Sequence, residues 1–179
     1  IQIAATAIDD TSGNSYAGIV DNTTLNFTTI DTTPPTLSSS SPIDGATGIA
    51  INNNLVLTFD ENIVFGTGNI QVIDLSDASN SFTIDAACPD AQVSINSNVL
   101  TINPSTDLDN DSDYAIQIAA TAIDDTSGNS YAGITDNTIL NFKTIDNIAP
   151  TVIEVLTSSS DNNKTFGVGD KISIYVQFT

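Results

Sequence analysis

The sequence predicts an all-β protein built from antiparallel β-sandwich domains. Short segments alternate apolar and polar residues with a period of two, and clusters of Asn, Asp, Gly, Ser and Pro separate them. No window shows a convincing helical period. Seven or so short strands fall within one repeat unit of the chain, and that number and spacing are typical of an antiparallel sandwich.

An internal repeat sets the domain organisation. The first 31 residues return almost unchanged at residues 116–146, with substitutions at Val20/Thr135, Thr24/Ile139 and Thr28/Lys143. We therefore expect residues 1–33 to be the C-terminal strands of a preceding repeat and residues 34–148 to be a complete repeat. Residues 149–179 should be the N-terminal strands of a following, different domain. Residues 1–31 alone would form at most an isolated hairpin, which is marginal in water, so they should have partners beyond this sequence.

The alternation places the strands of the complete repeat and their inward faces. Strands are expected near residues 36–41, 54–59, 69–74, 81–86, 91–95, 98–103, 114–122 and 138–145. The expected inward side chains are Leu55, Leu57, Phe59, Ile102, Tyr114, Ile116, Ile118, Ala120, Ala122, Leu140 and Phe142. In the last segment, the expected inward set is Ile172, Ile174, Val176 and Phe178. The repeat supports this register, because the substitutions Thr24/Ile139 and Thr28/Lys143 fall on the face opposite the one that holds Phe142.

Two corners of the repeat and its cysteine have specific expected roles. Tyr114 follows Leu108 by six residues, which is the spacing of a tyrosine corner; the alternative is an ordinary inward aromatic. The segment 125–129, repeated at 10–14, is typical of a turn in which Asp accepts hydrogen bonds from backbone amides, with a ligand site as the alternative. Cys88 is expected to be a small buried apolar group.

Composition excludes several classes of function. The chain has 22 acidic residues against three lysines, a formal charge of −19, no His and one Cys. It lacks the basic surface that binds nucleic acid, the His of a Ser-His-Asp triad and the usual zinc ligands, so we expect no nucleic-acid partner and no enzyme. No apolar run approaches the roughly 20 residues of a membrane span, so no membrane insertion is expected in this segment.

Three stretches of the sequence resemble the bacterial Ig-like domain family typified by S-layer protein repeats. They are PPTLSSSSPIDGATGIAINNNLVLTFDENI, NVLTINPSTDLDNDSDYAIQI and DDTSGNSYAGI. The resemblance implies tandem Ig-like sandwiches in a large secreted bacterial surface protein, such as an adhesin or surface filament, located outside the cell. It implies that the partners are neighbouring Ig-like domains of the same chain, with surface glycans or proteins bound through other regions. The final segment resembles the opening of another bacterial Ig-like type.

Acidic residues crowd several loops, and spaced oxygens of this kind suit Ca²⁺, which takes six to eight oxygen ligands. The candidate metal ligands are Asp31, Asp60, Glu61, Asp107, Asp109, Asp111, Asp113, Asp124, Asp125 and Asp146. An EF-hand is excluded, because the sixth and twelfth positions from Asp109 are Tyr114 and Ala120. The alternative is that the acids only keep the surface soluble. Sandwich connectivity predicts two groups, 107–113 with Asp146 at one end and the remaining acids near the linker 31–35 at the other.

These observations predict a structural stalk or extender module whose junctions are stiffened by calcium. The alternative is a module that binds carbohydrate or assembles laterally into a surface layer. For the carbohydrate alternative, Tyr131, Phe65 and the loop 124–137 would form a shallow site.

Overall fold

The computed structural model describes residues 1–89, 91–157, 167–169, 171 and 173–179, and in these ranges the chain is all-β. Its helical content there is one 3₁₀ turn, Ala78–Asn80. The central strands are β1 (Leu37–Ser41), β2 (Ala46–Ile49), β3 (Leu55–Phe59), β4 (Ile63–Phe65), β5 (Asn69–Asp74), β6 (Phe82–Asp85), β7 (Val93–Asn96), β8 (Val99–Ile102), β9 (Asp113–Ile118), β10 (Ile123–Asp125) and β11 (Asn141–Thr144). Two further strands are β12 (Val152–Thr157) and β13 (Ile174–Phe178).

The central repeat forms two sheets that share one core. The first sheet has the strand order β1-β3-β8-β7, and the second has the order β2-β11-β9-β5-β6. Neighbouring strands pair antiparallel except β2 and β11, which run parallel, and a short antiparallel ladder joins β10 to β4. The predicted all-β, Ig-like sandwich is confirmed.

Apolar side chains from both sheets fill the space between them. The expected inward residues that are buried are Leu55, Leu57, Phe59, Ile102, Tyr114, Ile116, Ile118, Ala122, Leu140 and Phe142. Two aromatic pairs lie in the core: the ring centroids of Phe59 and Tyr131 are 5.2 Å apart, edge to face, and those of Tyr114 and Phe142, on neighbouring strands of one sheet, are 5.7 Å apart, stacked. Burial of each large apolar side chain contributes about 1.5–3 kcal/mol, so these strands hold the sandwich together.

The tyrosine corner and the Asp turn are both present. The backbone N–H of Asp109 donates to the Tyr114 hydroxyl at 2.9 Å, which ties the loop before β9 to the core. Asp125 accepts hydrogen bonds from the backbone N–H groups of Ser127 and Asn129 at 2.8 and 2.7 Å, and Gly128 has a φ of +91°. The structural interpretation of both motifs is confirmed.

Three short strands and two residues differ from the expectations. The sequence pattern did not indicate β2, β4 or β10, which have three or four residues each and show no extended alternation. Ala120 is exposed rather than inward, because β9 ends at Ile118 and the chain turns there. Cys88 is a free, exposed thiol, so the expectation of burial was wrong. Its backbone N–H donates to Asp85 O in a turn that follows β6, outside the core of the two sheets.

The C-terminal strands β12 and β13 form an antiparallel two-stranded ladder. Ile174, Val176 and Phe178 are exposed, which corrects the expectation that this face is inward, and Ile172 lies outside the described residues. Apolar side chains on the opposite face and on β12 are exposed as well, since none of the described strands outside this ladder pairs with it. Within the described residues, both faces of this hairpin are exposed.

Candidate metal centre

Three carboxylates converge where the linker enters the sandwich. Asp31, Glu61 and Asp125 each place an oxygen within 4.8 Å of the other two. Asp31 precedes β1, Glu61 lies in the turn between β3 and β4, and Asp125 ends β10. The β10–β4 ladder brings the last two together, because Asp125 lies directly opposite Ile63. We call these three residues the entry triad.

Asp125 is the fixed member of the entry triad. It is buried, and besides the two backbone N–H groups of its turn it accepts a hydrogen bond from Asn129 Nδ2 at 2.7 Å. The same Asn129 Nδ2 lies 3.2 Å from the carbonyl oxygen of Asp31 and donates to it, so the linker is attached to the turn. Asn129 thereby positions two members of the triad, although it is not a carboxylate.

Asp60 and Asp124 flank the triad but are engaged in other contacts. Asp60 accepts from the backbone N–H and the hydroxyl of Thr36, both at 2.7 Å, and its own N–H donates to Thr36 O. Asp124 accepts from the Ser130 hydroxyl at 2.6 Å, and its carboxylate lies against Gly66 so closely that a Cβ there would be 2.8 Å away. These two residues lock the linker and the turn in place.

The electrostatics of the group distinguish its members. Partial desolvation raises the pKa of the Glu61 carboxyl, and repulsion from Asp125, Asp31 and Asp60 raises it further. Desolvation also acts to raise the pKa of Asp125, but the hydrogen bonds from Asn129, Ser127 and Gly128 outweigh it and hold that pKa below its usual value. The hydrogen bonds from Thr36 lower the pKa of Asp60. Negative charge is therefore uncompensated at Glu61 and stabilised at Asp125.

The other predicted ligands lie at the opposite end of the sandwich, as the connectivity suggested. Asp146 Oδ1 accepts from Asn110 Nδ2 at 3.2 Å, which places the end of the repeat beside the loop 107–113. Asp111 pairs with Lys143 Nζ at 2.8 Å, and Asp109 accepts from Asn80 Nδ2. Among the described residues, Asp107, Asp109, Asp111, Asp113 and Asp146 do not provide three ligand oxygens as close together as those of the entry triad.

The entry triad offers the chemistry of a hard-cation site. Three carboxylates supply anionic oxygens, and Ca²⁺ accepts such ligands with water and carbonyl oxygens completing six to eight positions. Glu61 has the free coordination capacity, while Asp125 contributes an oriented carboxylate. A divalent ion would offset the repulsion that raises the Glu61 pKa.

Two structural residues went unnoticed in the sequence. Asp74 is buried and accepts from the N–H groups of Ser76 and Asp77, which closes the turn after β5. Thr144 is also buried, and its hydroxyl donates to Asp109 O at 2.7 Å. The segment Asp74-Leu75-Ser76-Asp77 is typical of an Asp turn, so the role of Asp74 has a signal in the sequence. The buried Thr144 has no such signal.

A family model for the bacterial Ig-like domain matches residues 31–144, from the entry triad to the end of β11. The chain belongs to the bacterial Ig-like domain family. Members of this family commonly occur in bacterial surface proteins and are usually structural rather than enzymatic. No curated protein matches this bacterial Ig-like chain. Within the described residues, the structure contains no helix with the length and apolar character needed to span a membrane.

Proposed function

We propose that the bacterial Ig-like domain of residues 34–148 is an extender module of a long, repetitive cell-surface protein, an adhesin or a surface filament, and that Ca²⁺ stiffens its junctions. The entry triad is the observation on which the proposal depends. Asp31 belongs to the linker, whereas Glu61 and Asp125 belong to the sandwich. An ion held by all three would therefore fix the linker relative to the domain that follows it.

The charge of the chain explains why such an ion matters mechanically. With a formal charge of −19, modules placed end to end repel one another, and screening acts only beyond about 8–10 Å at physiological salt. Within the triad the oxygens are much closer than that distance. A divalent cation converts this local repulsion into attraction, so the linker loses freedom to bend.

The carbohydrate-binding alternative has no support at Tyr131, one of the residues suggested for it. Tyr131 packs edge-on against Phe59 in the core, and burial raises the pKa of its phenol. It is therefore not a platform on which a sugar ring could stack. The structural explanation, packing of the loop onto the core, accounts for this tyrosine.

The proposal is tested by small-angle scattering of the full chain in millimolar Ca²⁺ and in chelator at matched ionic strength. We expect Ca²⁺ to lengthen the particle and narrow its distribution of dimensions. Glu61→Gln should abolish most of this response, because it removes a ligand whose carboxylate has no competing hydrogen bond within the described part of the chain. Asp107→Asn is the matched control, since it removes one charge at the other end of the sandwich and should leave the response intact. Identical profiles in Ca²⁺ and chelator would show that the acids serve only solvation.

The raised Glu61 pKa supplies an independent check. A carboxyl whose pKa is higher in the folded state destabilises that state above the folded pKa, and the penalty disappears as the pH falls to the unfolded value. In chelator at pH 7, Glu61→Gln should therefore unfold at a higher temperature than wild type, and the difference should vanish near pH 4. In Ca²⁺ at pH 7 the order should reverse. If the order does not reverse, the substitution relieves electrostatic repulsion but Glu61 does not bind Ca²⁺.

A further inference from the structure

A cleft opens at the end of the sandwich opposite the entry triad. β6 is the last strand of the second sheet and β7 the last strand of the first, so the two sheet edges leave a gap beside the core. The turn after β5, the residue that precedes β7 and the loop 105–109 line this gap. Its volume of about 260 Å³ is close to the lower limit of about 300 Å³ for pockets that hold small molecules. We call it the end cleft.

The floor of the end cleft is apolar and is part of the sandwich core. Leu108 and Tyr114 line it and are 6% and 1% exposed. Phe82, the first residue of β6, is half-buried and packs against the same core. The backbone N–H of Leu108 donates to Ile51 O at 2.9 Å, which fixes the loop that carries this side chain. Core packing therefore gives the cleft a preformed apolar surface.

Hydrogen bonds connect the polar groups of the rim. Asn80 Nδ2 donates to the Asp109 carboxylate, which joins the turn after β5 to the loop before β9. Near the start of β7, Gln92 Oε1 accepts from the backbone N–H of Ser105 at 3.0 Å. The carbonyl oxygen of Gln92 accepts from the N–H of Asn103 at 2.6 Å. Because these bonds hold the rim in place before a ligand arrives, binding would cost little ordering entropy.

The chemistry of the rim selects among classes of ligand. Asp107 and Asp109 line the cleft with negative charge, which disfavours phosphates, sulfates and other anions. Ser105 and Thr106 add hydroxyl groups, which both donate and accept hydrogen bonds. Within the part of the chain that the structure describes, three acidic groups close enough to share a metal ion occur at the entry triad and not in this cleft. The end cleft therefore combines acceptors for ligand hydroxyl groups with an apolar floor.

A pyranose ring offers the complementary groups. Its hydroxyl groups donate to carboxylates, and such bonds to an ionised acceptor are roughly twice as strong as those between neutral groups. Its C–H groups form a face that packs on an aromatic ring, because the face of the aromatic ring carries partial negative charge. We propose that the end cleft binds one neutral hexose unit of a glycan, with sugar hydroxyl groups on Asp109 and Asn80 and the C–H face on Phe82.

This site adds a glycan contact to the extender module and does not depend on Ca²⁺. The end cleft and the entry triad share no residue, so the test is done in chelator and the two proposals can fail separately. The cleft also differs from the loop around Tyr131, whose side chain is buried. Asn80 and Asp109 are exposed at the rim, so a sugar in solution can reach them.

Nuclear magnetic resonance of the ¹⁵N-labelled full chain in chelator tests the proposal. The probes are the α- and β-methyl glycosides of glucose, galactose, mannose and N-acetylglucosamine. We expect at least one glycoside to shift the side-chain amide of Asn80 and the backbone amides of residues 105–109. The shifts should saturate with a dissociation constant on the order of 1 mM, as expected of a single sugar unit in a small cleft. The amides of the entry triad should not shift.

Two substitutions and a matched control locate the bound sugar. Ser105 is exposed at the rim, so Ser105→Trp should fill the cleft and abolish the shifts. Asp109→Asn keeps the size of the side chain but removes its charge, and it should weaken binding about tenfold. Asp113→Asn removes the same charge from an exposed residue that does not line the cleft, and it should bind as wild type does. A dispersed amide spectrum confirms that each variant is folded.

Several results would overturn the proposal. It is wrong if none of the glycosides shifts the amides of the end cleft, or if the shifts persist in Ser105→Trp. It is also wrong if Asp109→Asn binds as tightly as wild type, or if Asp113→Asn loses as much affinity as Asp109→Asn. Methylammonium chloride is the final probe. If it shifts the same amides at lower concentration than every glycoside, the cleft accepts a cationic group rather than a sugar.

Discussion

Residues 1–31 and 116–146 are nearly the same sequence in two different states. In the second copy, the residues of β9, β10 and β11 are paired and eight apolar side chains are buried; in the first, hydrogen-bonded turns are present but no strand of two or more residues forms. The difference shows which features form from the segment's own residues and which require partners elsewhere in the chain. Asp and Gly residues fix the turns within the segment, whereas strands require the ladder partners supplied by residues 46–74 and 113–115.

The comparison also separates core positions from surface positions. Of the pairs that differ, Ile139 is exposed and Lys143 is half-buried with its ammonium group on Asp111. The apolar residues that point between the sheets are unchanged. The substitutions therefore lie at positions that contribute little to core packing, as expected of a face in contact with water.

The largest effect should come from removing the same phenylalanine in each copy. Phe142→Ala removes a ring stacked on Tyr114 in the core and should destabilise the sandwich by about 3–5 kcal/mol. Phe27→Ala, at an exposed position, should change the free energy of unfolding by less than about 0.5 kcal/mol. Urea denaturation in dilute solution measures both. Equal effects would mean that residues 1–31 pack into a cooperative unit in the isolated chain.

Much of the fold could be predicted from the sequence because period-two alternation reports burial directly. Leu55, Leu57 and Phe59 alternate with half-buried residues, and their inward face was predicted correctly. The strands β4 and β10 were missed because three residues are too few to show a period, and their pairing depends on contacts made by a distant part of the chain.

The candidate site was predictable as a location but not as a geometry. Connectivity placed acids near the linker, and Asp31, Glu61 and Asp125 do lie together there. Nothing in the sequence indicated that Asp60 would instead bind Thr36, or that Asn129 would hold the linker carbonyl. Cys88 was predicted wrongly for a different reason. Free Cys is usually buried, but here it lies in an exposed turn.

A smaller effect is expected at the repeated Asp turn. Asp125→Ala removes hydrogen bonds to a turn that covers the core, so the unfolding temperature should fall by roughly 5 °C. Asp10→Ala removes equivalent bonds at 2.9 and 2.8 Å from an exposed turn and should leave that temperature unchanged. Thermal unfolding followed by circular dichroism measures the pair. A comparable loss for Asp10→Ala would show that the first turn contributes to the same cooperative transition.

The pH dependence of this pair sharpens the comparison. Hydrogen bonds hold the pKa of both carboxyls below the ordinary value of 3.8, although at Asp125 they must first overcome desolvation. A depressed folded-state pKa gives stability that is present above the unfolded pKa and is lost as the pH falls through the folded one. The difference between wild type and Asp125→Ala should therefore be constant from pH 7 to about pH 5 and shrink below about pH 4. Asp10→Ala should show no such pH-dependent difference, because its exposed turn lies outside the sandwich and its pKa should not change when the sandwich unfolds.

The smallest effect is expected where the copies differ by charge. Lys143→Thr gives the second copy the residue that the first has at position 28. It removes the ion pair with Asp111 and the favourable interaction of the lysine with Asp113 and Asp146. These interactions raise the pKa of Lys143. Both partners of the ion pair are partly exposed, and exposed pairs contribute little because water and salt screen them. Thermal unfolding should shift by less than about 3 °C, and the shift should disappear in 1 M salt. A larger, salt-insensitive loss would mean that the lysine's aliphatic stem packs on the sandwich, and that the two copies are not interchangeable at this position.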